Sequence, residues 1–176
     1  MILRKINAGL SIICTILLMA HANSHAAWML SNGSIKVGVK GMSWALVWVM
    51  AAHAILSIVL AILGHKGAEK RKCNTYPQLN VQTNLQRMSG MLLILFTALH
   101  VAGTVGVLQP PKVVHAILPP LFFAMSLMHV AVSGSKALIT LGIGNAKVVK
   151  VVDIVVKVLC IITLIASVSG FYLYSV

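Results

Sequence analysis

Five long apolar runs limit what this chain can fold into. They cover residues 5–24, 42–64, 88–108, 113–134 and 151–174. Each approaches or exceeds the ~20 residues that carry a helix across a ~30 Å hydrocarbon core at ~1.5 Å per residue. In lipid every backbone N–H and C=O has to be satisfied within the segment or in a closed barrel. These runs are continuously apolar rather than alternating, so an all-α membrane protein is predicted. It would be a bundle of five transmembrane helices forming a single domain over residues 1–176. Charged residues make up only 9% of the chain, against roughly a quarter in soluble domains.

The few charges are one-sided: Glu69 and Asp153 stand against fourteen Lys and Arg, for a net charge of +12. Nucleic-acid binding is not the expected use of that charge. The basic residues punctuate the apolar runs and form no continuous face that could track phosphates. Cys14, Cys73 and Cys160 are too few and too scattered for a disulfide framework, and no Cys-x-x-Cys-His occurs for covalent c-type haem. Cys14 and Cys160 lie in apolar runs and are expected to pack as small apolar residues. No nucleophile–base pair or acid pair is visible, so no catalytic residue is assigned.

The first run starts after Arg4 and Lys5 and leaves through Ser24-His25-Ala26, a pattern that also fits a secretory signal peptide. With its flanks the run is long enough to span, and a retained helix is expected. Residues 28–41 read as a polar connection, residues 65–86 as the longest polar segment, and residues 135–150 as a loop. Pro77 should bound any helix that reaches it, and Pro119-Pro120 should kink the fourth helix early. Asp153 and Lys157 stand at i and i+4 in the favourable acid-first order. Trp28, Trp44 and Trp48 suit an interfacial belt, as do Phe171, Tyr172 and Tyr174. One face would hold Arg4, Lys5, Lys66, Lys70, Arg71, Lys72, Arg87, Lys136, Lys147, Lys150 and Lys157; the other would hold Lys36, Lys40 and Lys112. That asymmetry places the N-terminus in the cytoplasm and the C-terminus outside.

Four of the runs carry a histidine: His21, His53, His100 and His129, one on each of the first four helices. An ionisable side chain within a membrane span is costly and is a functional candidate by default. Any one of them alone could simply hydrogen-bond a carbonyl or line a polar cavity. Four imidazoles on four successive helices are what two b-type haems need for two pairs of axial ligands. Spacing suggests the pairing. His100 lies 13 residues after Arg87 and His21 lies 17 after Arg4, which puts them ~20 and ~25 Å from the inner side. His129 lies 7 residues before Lys136, only ~10 Å from that side. His53, 13 residues before Lys66, is nominally ~20 Å deep and fits either level. His21 with His100 is therefore the pairing that depth supports, and His53 with His129 is allowed. His25 lies one helical turn beyond His21 on the same face and is an open alternative to it. His65 in the basic segment and His115 at a helix start read as interfacial.

Gln86-Arg87-Met88-Ser89-Gly90, with His100 ten residues after the glycine, resembles the membrane anchor of respiratory complex II. More narrowly, it resembles the single-chain, five-helix, dihaem cytochrome b subunit of succinate dehydrogenases and fumarate reductases. Ala51-Ala52-His53-Ala54 is similar to that family's second-helix ligand site. Leu127-Met128-His129-Val130, followed by Ser133-Gly134, is similar to its fourth-helix site, and Gly170-Phe171-Tyr172 to its last helix.

The resemblance implies two haem b groups. His21 and His100 would hold the outer haem iron, and His53 and His129 the inner one. Arg87 and Ser89, near the helix ends, are candidates for holding haem propionates. It also implies an iron–sulfur subunit and a flavoprotein subunit docked on the cytoplasmic face, a membrane quinone (menaquinone or ubiquinone) and a bacterial or archaeal inner membrane. Such a chain would be a non-catalytic electron-transfer subunit of an oxidoreductase complex. The quinone site is not carried over: no carboxylate lies in the outer half, and Leu127 stands where an acid would be a candidate. His25, Asn32 and Ser34 are the candidates for bonding a quinone near the outer haem. Two alternatives stay open at this point. One is a dihaem cytochrome b serving a hydrogenase or formate dehydrogenase. The other is a haem-free membrane protein whose histidines relay protons.

Overall fold

In a computed structural model, residues 2–35, 39–68, 77–107 and 112–175 are described. The expectations for Lys36, Glu69, Lys70, Arg71, Lys72, Cys73, Pro110 and Pro111 lie outside these residues, as do those for the side chains of Lys40, His65, Lys66, Lys112, His115 and Tyr174. The described chain forms five helices and no strand: α1 (Ile2–Leu30), α2 (Val39–Ala68), α3 (Pro77–Thr104), α4 (Lys112–Leu141) and α5 (Ala146–Ser175). All five are long and apolar enough to cross a membrane, so the chain is a multi-pass membrane protein.

Local chemistry accounts for the helix ends. Asn32 adopts a left-handed conformation (φ 49°). Gly33 N–H then bonds Trp28 C=O (2.9 Å) and Asn32 N–H bonds Met29 C=O (3.1 Å), closing α1 in a Schellman motif. Gly106 and Gly142 do the same for α3 and α4, through Val107 N–H to Ala102 C=O (2.9 Å) and Ile143 N–H to Leu138 C=O (3.1 Å). Asn145 caps α5, its Oδ1 accepting from the N–H groups of Lys147 (3.0 Å) and Val148 (3.3 Å). Pro77 opens α3, where its missing N–H costs nothing.

The helices run past the apolar runs. Residues 135–150 are not one loop: α4 continues to Leu141 and α5 starts at Ala146. Ser135–Leu141 contains no helix breaker, so the turn waits for the left-handed Gly142. Lys136, Lys147 and Lys150 therefore stand on helices. Likewise α1 reaches Leu30 and α2 begins at Val39, which shortens the expected 28–41 connection. α4 runs on through Pro119 and Pro120. Lys157 and Asp153 form the expected i,i+4 ion pair.

α1 and α4 form the centre of the bundle. α1 packs on α2, α4 and α5, and α4 packs on α1, α3 and α5. α2 and α3 are therefore flanking helices, the first held by α1 and the second by α4. The core joins Leu18, Leu46, Leu127, Val130 and Cys160. Small residues let α1 approach α5. Ala22 and Ala26 are buried, and a Cβ on Gly170 would lie 3.3 Å from Met29 Cβ and 3.4 Å from the Ala26 carbonyl oxygen. Gly170→Leu is expected to destabilise the bundle by about 1–3 kcal/mol through overpacking. Gly103→Leu, at a position with nothing within 4 Å, should leave stability nearly unchanged. Thermal unfolding of both variants in detergent compares them.

Candidate functional site

The polar side chains inside the bundle gather at two levels. The first level uses the C-terminal halves of α1 and α3 and the N-terminal halves of α2 and α4. His21 Nδ1 lies 3.3 Å from Ser43 Oγ, so α2 steadies a ring carried by α1. His25 follows one turn later, its ring centroid 6.3 Å from that of His21 and 5.8 Å from that of Trp28. His100 stacks on Phe122 of α4, with centroids 5.0 Å apart and planes 9° from parallel. His21 is within electrostatic reach of both His25 and His100, and His100 within reach of His25. The Nδ1 of His25 is buried without a hydrogen-bond partner.

The second level lies toward the opposite end. His129 of α4 is within electrostatic reach of His53 of α2. Its Nδ1 sits 2.9 Å from Ser89 Oγ of α3, and Ser89 is only 1% exposed. Gly90 lies under the same ring: a Cβ there would be 3.2 Å from His129 Cε1. The buried Nδ1 of His53 has no hydrogen-bond partner. One turn away, Asn7 and Ser57 exchange hydrogen bonds between α1 and α2 at 3.1 and 3.2 Å. On the α3–α4 seam, Lys136 Nζ donates to Gln86 Oε1 (3.1 Å) and Thr83 Oγ1 (3.4 Å).

The four candidate imidazoles thus divide between the two levels, His21 of α1 and His100 of α3 at the first and His53 of α2 and His129 of α4 at the second. Among the described residues, neither of these helix pairs packs backbone to backbone beyond marginal contact. Arg87 is exposed, while Ser89 faces His129 and not solvent. Asn32 and Ser34 are exposed in the turn after α1.

Sequence reasoning overlooked Ser43, Phe122, Asn7 and Ser57, for which spacing carries no signal. Lys136 and Gln86 were findable. Lys136 stands two turns after His129, and Gln86 three residues before Ser89, so each shares a helix face with its neighbour in the site.

This donor chemistry can be tested against a haem. Among the described residues no three His, Cys, Asp or Glu side chains converge. A bare metal ion in a protein asks for three or four such donors. A haem iron, already held by four ring nitrogens, asks for two axial ones, and imidazole is a common choice. One imidazole from each of two helices with at most marginal contact fits that requirement. Searches against protein families, curated proteins and solved structures find no match to the chain.

Proposed function

We propose that this chain is a dihaem cytochrome b membrane anchor. In this reading it passes electrons between a membrane quinone and an iron–sulfur/flavoprotein succinate dehydrogenase or fumarate reductase. The observation that carries the proposal is one buried-side imidazole on each of four successive spanning helices, with His21 held by Ser43, His100 by Phe122 and His129 by Ser89 from a neighbouring helix. Depth along the helices supports the pairing of His21 with His100 and allows that of His53 with His129. Motif order, from the Gln86–Gly90 stretch to His129 and Ser133-Gly134, favours this family over the anchors of other dehydrogenases.

When bound, haem supplies a one-electron couple, and the protein sets its position and potential. The chain's own residues do the rest. Neutral imidazoles present nitrogen lone pairs across the gap between non-packing helices. Phe122 holds the His100 ring flat against α4. Leu18, Leu46, Leu127 and Val130 keep water from the space between the two levels. Lys136, with Gln86 and Thr83, offers cationic and polar groups at the second level. In this reading that level faces the cytoplasm, and the basic ends of α3, α4 and α5 meet the iron–sulfur subunit there, with the flavoprotein beyond it. The membrane would be a bacterial or archaeal inner membrane, with the N-terminus inside and the C-terminus outside.

The test is a reduced-minus-oxidised optical spectrum of the detergent-purified chain, with haem and protein quantified together. Two b-type haems per chain are expected. A colourless protein would overturn the proposal and leave proton relay through the histidines as the better account.

A further inference from the structure

Ser89 and Gly90 belong to α3 and precede His100 on the same helix, yet both meet His129 of α4. Hydrogen-bond accounting gives that contact a direction. A serine hydroxyl has one proton and two lone pairs. Ser89 Oγ lies 3.1 Å from the Gln86 carbonyl oxygen, to which it donates that proton. Only lone pairs then remain for His129 Nδ1, 2.9 Å away. With the hydroxyl proton on the Gln86 carbonyl, His129 Nδ1 is left to donate to Ser89 Oγ and Nε2 presents its lone pair.

We infer that Ser89 is a positioning residue for His129. It fixes the Nδ1–H tautomer, frees Nε2 as the iron ligand and makes the ligand more basic by accepting from its other nitrogen. The inference rests on the proposed haem function and goes beyond it by separating the two partners of one pair. His129 is hydrogen-bonded to a serine side chain that is 1% exposed, whereas the buried Nδ1 of His53 has no such side-chain partner and the Asn7 backbone is the polar group nearest its ring. A proton-accepting neighbour enriches an imidazole in electron density and so favours the ferric state of the iron it binds. Ser89 therefore holds down the reduction potential of the haem bound by His53 and His129.

The test is a potentiometric titration of the purified full chain, followed optically, with low-spin ferric EPR of the same samples. Wild type, Ser89→Ala and Ser126→Ala are compared. Ser126, on α4, is an equally buried serine whose hydroxyl donates back to Phe122 C=O at 2.8 Å rather than to a histidine. Ser89→Ala is expected to keep both haems and raise the potential of one. At a fixed potential its ferrous/ferric ratio should rise about tenfold, ~59 mV for a one-electron couple. The EPR signal of that haem alone should move, and Ser126→Ala should match wild type in both readouts. If Ser89→Ala instead loses one haem, Ser89→Thr is expected to restore it, since the hydroxyl returns. Two haems with unshifted potentials and EPR in Ser89→Ala would overturn the inference while leaving the dihaem reading intact, as would equal shifts in Ser126→Ala. Absence of haem from the wild type would overturn the dihaem reading itself.

Discussion

His100→Ala is expected to halve the haem content, from two per chain to one, and His21→Ala is expected to remove the same haem. His53→Ala and His129→Ala should each remove the other. The outcome is large because an iron that loses an axial imidazole in an apolar interior has no water or carboxylate to replace it. Asp153, the acid among the described residues, is engaged with Lys157 on α5. The pattern across the four variants matters more than any single loss. Redox titration assigns the surviving haem in each by its potential. Different survivors in His21→Ala and His100→Ala would break the crosswise pairing, even with haem present. His25, 6.3 Å from His21, is the side chain placed to stand in for it. A His21→Ala chain that keeps both haems, and loses one only when His25→Ala is added, would transfer the ligand role to His25.

Gly90→Val should be the most damaging change that leaves every histidine in place. A Cβ at this position would sit 3.2 Å from His129 Cε1 and 3.7 Å from Nδ1, and valine adds two methyl groups beyond that. The neighbour in the way is a ring tied to Ser89 on the same helix turn, so it cannot yield without breaking that hydrogen bond. Disturbing the groups that orient a metal ligand typically weakens metal binding 10- to 100-fold. The expected product retains one haem and loses the His53–His129 one, at least tenfold more readily than wild type under detergent washing. Gly103→Val, on the same helix but in open space, should retain both. Haem-to-protein ratios after matched washes decide it. Equal retention in the two variants would show that close approach at Gly90 does not govern the site.

Much of the fold could be read directly from residue order. Runs of about 20 apolar residues leave the backbone no alternative to spanning helices, because lipid offers no partner for an unpaired amide. Pro77 bounds α3 as its ring requires, whereas the Asn145 cap and the Gly106 turn were not marked by hydropathy and emerge only with the helices. The exits of α1 and α4 were harder. Spans were marked by hydropathy, whereas the helices end where a left-handed residue closes the last turn, at Asn32 and Gly142. Lys136 consequently moved from a loop to a helix face, and with it came its bond to Gln86.

The candidate site divides along the same line. Four histidines on four successive helices, and their approximate depths, follow from counting at a fixed rise per residue. Which rings meet depends on which helices pack, and no periodicity encodes that. His53 was ambiguous by depth, and it comes within reach of His129 because α1 and α4 form the centre and leave α2 and α3 to either side. The Ser89-Gly90 pair shows the limit most clearly. Read along the chain it belongs with His100 on its own helix; across the bundle it cradles His129. Helix formation and membrane insertion are set by short-range chemistry, which residue order carries in full. Contacts between helices depend on side-chain shape matched across segments 40 residues apart, and only the packed bundle brings those surfaces together.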